Sequence, residues 1–365
     1  MSISRRLLLK QIGLGVAGIG LSNFSGIAHA QQPTRQISNG PIKLSSNENP
    51  YGPPPKAQQE MLKAIATANR YNWQSTGELV DLIAQKNNVK AANILLGPGS
   101  TEILDLVARF TATPTGSFVI ADPSYDYWTT TAIQLGLQKI SIPLDANKKI
   151  NLAGMLAAIQ LNTRLVYICN PNNPTGTTCT REDLVNFVRA ASPKAIVVVD
   201  EAYLAYTDQE SLSSLVVDIP QLIVVKTFSK IFGMAGARVG YAIANEEIIT
   251  RLSSLQSWPN GSLSVVSVAG AISAIQDDTF VTETRLKNKQ VGIYTVRKLQ
   301  QLKLEVIPTD TNFIYFSLRN FSKDYFELLR QKQISGTRIY EENGSWTRIT
   351  IGTKQEMEQF IQAIS

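Results

Sequence analysis

Apolar and polar positions come in blocks along this chain. Between about residues 94 and 245, short apolar runs stop abruptly in polar clusters, and a stretch with helical spacing follows most of them. The apolar runs cover 94–99, 117–121, 140–143, 165–169, 195–199 and 222–225. Runs this short, apolar at nearly every position and rich in Val and Ile, predict strands buried on both faces. The periodicity between them predicts helices over 100–110, 151–159 and 181–191. Strand, polar loop and helix in repeated order predict an α/β fold with a doubly wound, mixed or parallel sheet. Ligands bind such sheets beyond the carboxyl ends of the strands.

The flanks follow other rules. Residues 41–55 carry too much Pro and Asn for regular structure and read as an extended arm. Its Asn47, Asn49 and Tyr51 are candidate ligand contacts. Helical spacing returns over 56–68 and 77–85, on either side of the aromatic loop Arg70-Tyr71-Asn72-Trp73. After Gly240 the pattern becomes α+β. Helices are expected over 246–255 and 265–302, with a break near Asp277-Asp278, and over 321–332 and 354–364. Strands are expected over 305–307, 312–317 and 348–351. The resulting division is a leader over 1–30, a linker over 31–40, and an arm with a helix over 41–70. That helix is expected to pack with the smaller domain. A large ligand-binding domain over 71–255 and a smaller α+β domain over 256–365 complete the chain.

Composition narrows the chemistry. At 44% hydrophobic and 18% charged residues, the 365-residue chain has the balance of a soluble globular protein. The formal net charge of +6 falls to +3 once Arg5, Arg6 and Lys10 of the leader are set aside, too small an excess to argue for nucleic acid. The single histidine, His29, lies in that leader. His-based triads and His/Cys zinc sites are therefore excluded for the mature chain, and no metal is expected. Acid–base work falls to Lys, Tyr, Asp or Glu. Cys169 ends an apolar run and reads as a buried thiol, with a disulfide to Cys179 left open.

The leader itself contains Ser4-Arg5-Arg6-Leu7-Leu8-Leu9-Lys10, then a Gly-diluted apolar region, then Ala28-His29-Ala30. That is the pattern of a twin-arginine export signal with a small-x-small cleavage site. The expectation is a chain carried by the twin-arginine export machinery, periplasmic after cleavage near Ala30, with no stable membrane span.

The candidate chemistry lies at the strand ends. Gly97-Pro98-Gly99 followed by Ser100 and Thr101 at a helix start offers free backbone N–H groups to an anion, although an ordinary helix cap would use the same residues. Tyr125 follows the run ending at Ala121. Asn170 to Gly176 form a rigid loop with exposed amides. Asp200 and Tyr203 follow the run ending at Val199. Thr227, Ser229, Lys230 and Arg238 follow the run ending at Val225. The hydroxyls and arginine suit a phosphate, and the amine suits a carbonyl. Together these groups match an aldehyde cofactor with a pyridine ring and a phosphate.

Six runs in order carry a family resemblance: Leu44 to Gly52, Gly97 to Glu102, Asn170 to Gly176, Asp200 to Tyr203, Thr227 to Lys230 continuing to Arg238, and Arg348 to Gly352. Residues from about 42 to 361 thereby resemble the pyridoxal 5'-phosphate-dependent aminotransferases of fold type I, within class I/II, and most closely the histidinol-phosphate aminotransferase family. The resemblance implies Lys230 as the Schiff-base lysine and proton shuttle, Asp200 at the pyridine nitrogen, and Asn173 and Tyr203 at the ring oxygen. It implies Ser100, Thr101, Thr227, Ser229 and Arg238 around the phosphate, and Tyr125 stacked on the ring. Tyr71 would reach the phosphate of a second subunit in a homodimer. Arg348 would bind the substrate carboxylate, with Arg338, Asn49, Tyr51 and Asn173 nearby. The partners implied are a small-molecule amino donor and a 2-oxo acid acceptor. One departure is Asn72, where the family usually has proline after Arg-Tyr. The same cofactor site also serves decarboxylases of the threonine-phosphate type and lyases, and a non-catalytic periplasmic binding protein is the remaining alternative.

Overall fold

Strands and helices alternate through the middle of the chain, from Ile94 to Thr227. A computed structural model describes residues 40–365. The leader and the linker expected over 31–40 lie outside the described residues apart from Gly40. In chain order the first elements are β1 (Ile42–Lys43), α1 (Pro55–Ala64), α2 (Trp73–Lys86), β2 (Ile94–Gly97), α3 (Ser100–Thr111) and β3 (Ser117–Asp122). Then come α4 (Thr129–Gln134), β4 (Gln138–Pro143), α5 (Leu152–Ala157), β5 (Thr163–Cys169), α6 (Arg181–Ala191) and β6 (Ile196–Asp200). β7 (Leu222–Thr227), β8 (Gly240–Ala244), α7 (Glu246–Ser253), α8 (Val265–Ile275) and α9 (Asp278–Gln301) follow. The chain closes with β9 (Val306–Ile307), β10 (Phe313–Ser317), α10 (Tyr325–Gln331), β11 (Ile334–Ser335), β12 (Ile339–Glu341), β13 (Trp346–Thr350) and α11 (Lys354–Ile364).

Seven strands form one sheet in the order β2-β8-β7-β6-β5-β3-β4. β3 to β7 run parallel, and β8 runs antiparallel to both β2 and β7. β2 therefore points the same way as β7. Gly97, Asp122, Cys169, Asp200 and Thr227 consequently end their strands along one edge, and β8 starts from that edge.

Strand residues alternate between two apolar layers, as the period of two requires. Val166, Ile168, Val197, Val199 and Val224 face α1, α2, α5, α6 and α8. Leu165, Tyr167, Cys169, Val198 and Val225 face α3, α4 and α7. Both cysteines are buried and free.

Polar side chains set the helix starts. Asn72 accepts from the Ser75 N–H and caps α2, a role a proline there could not fill. Asp277 accepts from the Phe280 N–H, and this cap separates α8 from α9 at the expected break. Thr353 and Glu356 form a reciprocal capping box on α11.

A four-stranded antiparallel sheet, β12-β13-β10-β9, packs on α9, α10 and α11 through Val291, Leu299, Phe316, Leu329 and Phe360. The arm joins this part: β1 pairs with β11, and Leu44 enters the same core. Two helices pack elsewhere than the sequence suggests. α8, assigned by sequence to the smaller domain, buries Val268, Ala271 and Ala274 in the core of the large sheet. α1 lies against it and buries Ala57 in that same core. Packing changes over at Asp277 rather than at residue 255, because α8 is apolar enough to be covered on several sides. Among the described residues, no helix is long and apolar enough to cross a membrane.

Candidate active site

A cavity of about 400 Å³ opens at the carboxyl edge of the large sheet. Its floor comes from strand ends, its far side from the arm and β13. Ser100, Thr101, Tyr125, Asn173, Asp200, Tyr203, Thr227, Ser229, Lys230, Arg238 and Arg348 all line it.

One end is an anion cup. Thr227 and Ser229 hydroxyls lie 2.9 Å apart, and the Arg238 guanidinium donates to Ser229 Oγ at 3.4 Å. Arg238 also donates to the Ala235 and Pro98 carbonyls, which fixes its side chain across the loop. Its backbone is left-handed, with φ of 54°. A Cβ at Gly99 would collide with the Arg238 guanidinium, and one at Gly240 would collide with the Ser100 N–H. Glycine at 99 thus leaves room for the arginine, and glycine at 240 lets β8 start against the turn that opens α3. Thr101 Oγ1 lies 3.3 Å from Tyr125 Oη.

At the centre, Asp200 ends β6 and is almost fully buried. Tyr167 Oη donates to its Oδ2 at 2.9 Å, and the Ala202 N–H donates to Oδ1 at 3.0 Å. Burial pushes the Asp200 carboxyl up to about 6, while the bonds from Tyr167 and Ala202 and the charge of Lys230 pull it back. Lys230 moves the other way. Burial, and then the Arg348 guanidinium, bring its amine down to about 8, against the pull of Glu48 and Asp200. Lys230 Nζ donates to the Ser46 carbonyl at 3.1 Å and lies 5.5 Å from the centre of the Tyr203 ring.

The third group surrounds Tyr203 and Arg348. Tyr203 Oη accepts from Asn47 Nδ2 at 3.0 Å and from Asn173 Nδ2 at 3.4 Å. Arg348 donates to Asn173 Oδ1 and, at 2.7 Å, to the Ser45 carbonyl. Its guanidinium sits between the rings of Phe313 and Tyr340, 5.4 and 5.5 Å from their centres. Its Nε is buried without a hydrogen-bond partner among the described residues.

Four residues predicted at the site do not line the cavity. Asn49 donates to the Ile231 carbonyl and accepts from the Tyr51 N–H, so its amide holds the arm down. Tyr51 is half-buried, with Lys287 Nζ 5.6 Å from its ring. Arg338 is exposed and lies over the Tyr340 ring, 5.2 Å from its centre. Tyr71 is 76% exposed and lies in a trio with Trp73 and Trp258. Conversely, Tyr167 and Ser45 were missed as site groups. A tyrosine inside an apolar strand reads as core, and backbone carbonyls leave no mark in a sequence. Asn47, noted on the arm, is the arm residue whose side chain reaches Tyr203.

These donors fit pyridoxal 5'-phosphate. The buried carboxylate offers a partner for a protonated pyridine nitrogen, and the hydroxyl–guanidinium cup at the start of α3 offers one for a phosphate. Lys230 supplies the depressed amine. The fold and this donor set define a fold-type I enzyme dependent on pyridoxal phosphate. Residues 39–364 match the family model for aminotransferase class I and II. The chain is 36% identical over 329 residues to the histidinol-phosphate aminotransferase of Moorella thermoacetica, covering 88% of this chain and 84% of that protein. It is 34% identical over 330 residues to histidinol-phosphate aminotransferase 1 of Dechloromonas aromatica, covering 88% and 89%. Among solved structures, the histidinol-phosphate aminotransferase of Sinorhizobium meliloti in complex with pyridoxal-5'-phosphate superposes with a TM-score of 0.81 at 25% identity, covering 88% of this chain and 89% of that one. The chain belongs to the class I and II aminotransferase family. It is a pyridoxal-phosphate-dependent aminotransferase.

Proposed function

We propose that this aminotransferase exchanges an amino group between a phosphorylated amino alcohol of the histidinol-phosphate type and a 2-oxo acid. The observation that carries this reading is the likeness to relatives of that name over 88% of the chain. Arg348 suits both partners, since one guanidinium binds a phosphate ester or a carboxylate bidentately.

Bound pyridoxal phosphate supplies an electron sink for the carbanion left when the substrate Cα–H bond breaks. Asp200 would hold the ring nitrogen, Asn173 and Tyr203 the ring oxygen, and Ser100, Thr101, Thr227, Ser229 and Arg238 the phosphate. Lys230 does the proton work. With its pKa lowered to about 8, about a tenth of Nζ is free amine at pH 7, far more than for an ordinary lysine, and it is this form that takes the Cα proton. Arg348 orients the substrate anion so that this bond faces Nζ.

The proposal extends to assembly and location. Tyr71, Trp73 and Trp258 form an exposed aromatic patch suited to cover by a second copy, which would bring Tyr71 towards that copy's cavity. The Arg5-Arg6 leader supports twin-arginine export to the periplasm after cofactor loading.

Profiling amino donors with purified, cofactor-loaded protein tests the substrate. Histidinol phosphate is expected to bleach the cofactor absorbance and release a 2-oxo phosphate ester. Release of carbon dioxide without amino transfer would overturn the reading. Light scattering checks for the dimer, and replacing Arg5 and Arg6 with lysine is expected to abolish periplasmic recovery.

A further inference from the structure

A charged pair lies behind the cavity, on the opposite face of the sheet from Asp200 and Thr227. Asp200 shares the Tyr167 face of the sheet, so the next residue, Glu201, turns to the opposite face. Thr227 turns to the cavity, so the preceding Lys226 turns away. Lys226 Nζ lies 3.3 Å from Glu201 Oε2 and donates to Asn87 Oδ1 at 2.9 Å. The Glu201 side chain is 2% exposed. Its Oε1 accepts from the Leu212 N–H at 2.8 Å and its Oε2 from the Ser211 hydroxyl at 2.5 Å. The Glu201 N–H donates to the Val225 carbonyl at 2.8 Å. Asn87 itself donates to the Ile83 carbonyl at the end of α2.

Nothing in transamination uses these groups directly, and a buried ion pair is poor value as a stability device. An apolar pair of similar volume is often as stable or more so. The position of the pair matters more. Glu201 is bonded into the chain next to Asp200, and Lys226 next to Thr227. We propose that Lys226 and Glu201 are positioning residues for the cofactor. Lys226 cancels the Glu201 charge so that Asp200 stays ionised for the pyridine nitrogen. The pair also fixes β6 against β7, so that Asp200 and the Thr227–Ser229 cup keep the spacing of the cofactor's two ends.

Six titratable groups bear on Asp200: Tyr125, Tyr167, Cys169, Tyr203, Lys230 and Glu201. Burial raises the three tyrosines and the cysteine above their ordinary values and keeps them neutral. Lys230 and Glu201 are therefore the charged neighbours, and Glu201 is the one that pushes the Asp200 carboxyl upward. Tyr241 faces the pair from β8 and is also held neutral by burial.

The test is cofactor affinity against pH for the full protein, read by fluorescence quenching and cofactor absorbance without any amino substrate. Lys226→Met leaves the buried Glu201 carboxylate uncompensated. It is expected to weaken binding about tenfold near neutral pH and to move the acid limb of the affinity profile up by about one pH unit. Glu201→Gln is expected to move that limb down. The double variant is expected to return close to the wild type, and Lys226→Arg to stay there. The cofactor's own protonation cancels in each comparison. If Lys226→Met does not fold, the downward shift of Glu201→Gln and its reversal in the double variant carry the test. Shifts of both single variants in the same direction, or a double variant as weak as Lys226→Met, would show a purely structural role and overturn the proposal.

Discussion

Ser100, Asp200, Thr227 and Lys230 lie at or just beyond the ends of strands in one sheet, whereas Arg348 reaches the same cavity from the four-stranded sheet and Ser45 to Glu48 reach it from the N-terminal arm. The first group is the proposed cofactor end and is held chiefly within the large sheet, where Tyr167 of β5 donates to Asp200, with one tie to the arm from Lys230 Nζ to the Ser46 carbonyl. The second group is the proposed substrate end and depends on contacts across most of the chain. Arg348 is bonded to Asn173 and to the Ser45 carbonyl, and the Asn47 N–H donates to Thr350 Oγ1 at 2.9 Å. Under the proposed function, cofactor binding is thus written mainly into one sheet edge, while substrate binding requires the arm and both sheets together.

The sharpest break falls where the two ends meet. Lys230→Ala is expected to lower turnover by ~10⁴-fold while leaving cofactor held by Asp200 and the cup. Single-turnover absorbance with an amino donor measures it, and a variant that cycled normally would remove Lys230 from its role. The two arginines then separate the ends. Arg348→Ala is expected to cut kcat/KM by about 100-fold through lost substrate anchoring, with cofactor affinity nearly unchanged. Arg238→Ala should do the reverse, weakening cofactor affinity first. Equal effects of the two on cofactor affinity would erase the distinction.

A third prediction concerns pH. The folded Asp200 carboxyl, at about 6, lies above its ordinary value, so between pH 4 and 6 the folded state binds more protons than the unfolded state. Its contribution favours folding at low pH and is lost as pH rises through about 6. Cofactor-free Asp200→Asn should therefore be more stable than the wild type at pH 7, by on the order of 1–3 kcal/mol, as denaturant melts would show. Near pH 4 the difference should shrink. The smallest expected effect belongs to the arm. Asn47→Ala removes its bond to Tyr203 and the one it accepts from the Thr350 hydroxyl and should cost about 1 kcal/mol, seen as a several-fold rise in KM.

The same division governs what was legible beforehand. The runs ending at Ala121, Cys169, Val199 and Val225 announced the sheet edge because a strand buried on both faces leaves an unbroken apolar signal. β8 left almost none: Gly-Tyr-Ala-Ile-Ala is short and small-sided, and its antiparallel direction depends on neighbours far away in sequence. α8 was recognisable as a helix but not as part of the large core, since periodicity shows that a face is buried and not against what. On the arm, Asn47, Asn49 and Tyr51 looked alike as extended polar positions. Which of them meets Tyr203 is decided by pairing with β11 and by Asn312, whose amide donates to the Asn47 carbonyl. Tyr167 was hidden by its own surroundings.

The antiparallel course of β8 has one more consequence. Because β8 starts at the edge where β7 stops, the chain turns back within the stretch from Lys230 to Arg238 and never crosses to the other edge. That stretch works as a ruler, setting the amine and the guanidinium at a fixed separation by counting residues. Inserting or deleting a single residue there would change the measured length. Drift in this protein can therefore respell that stretch but not resize it.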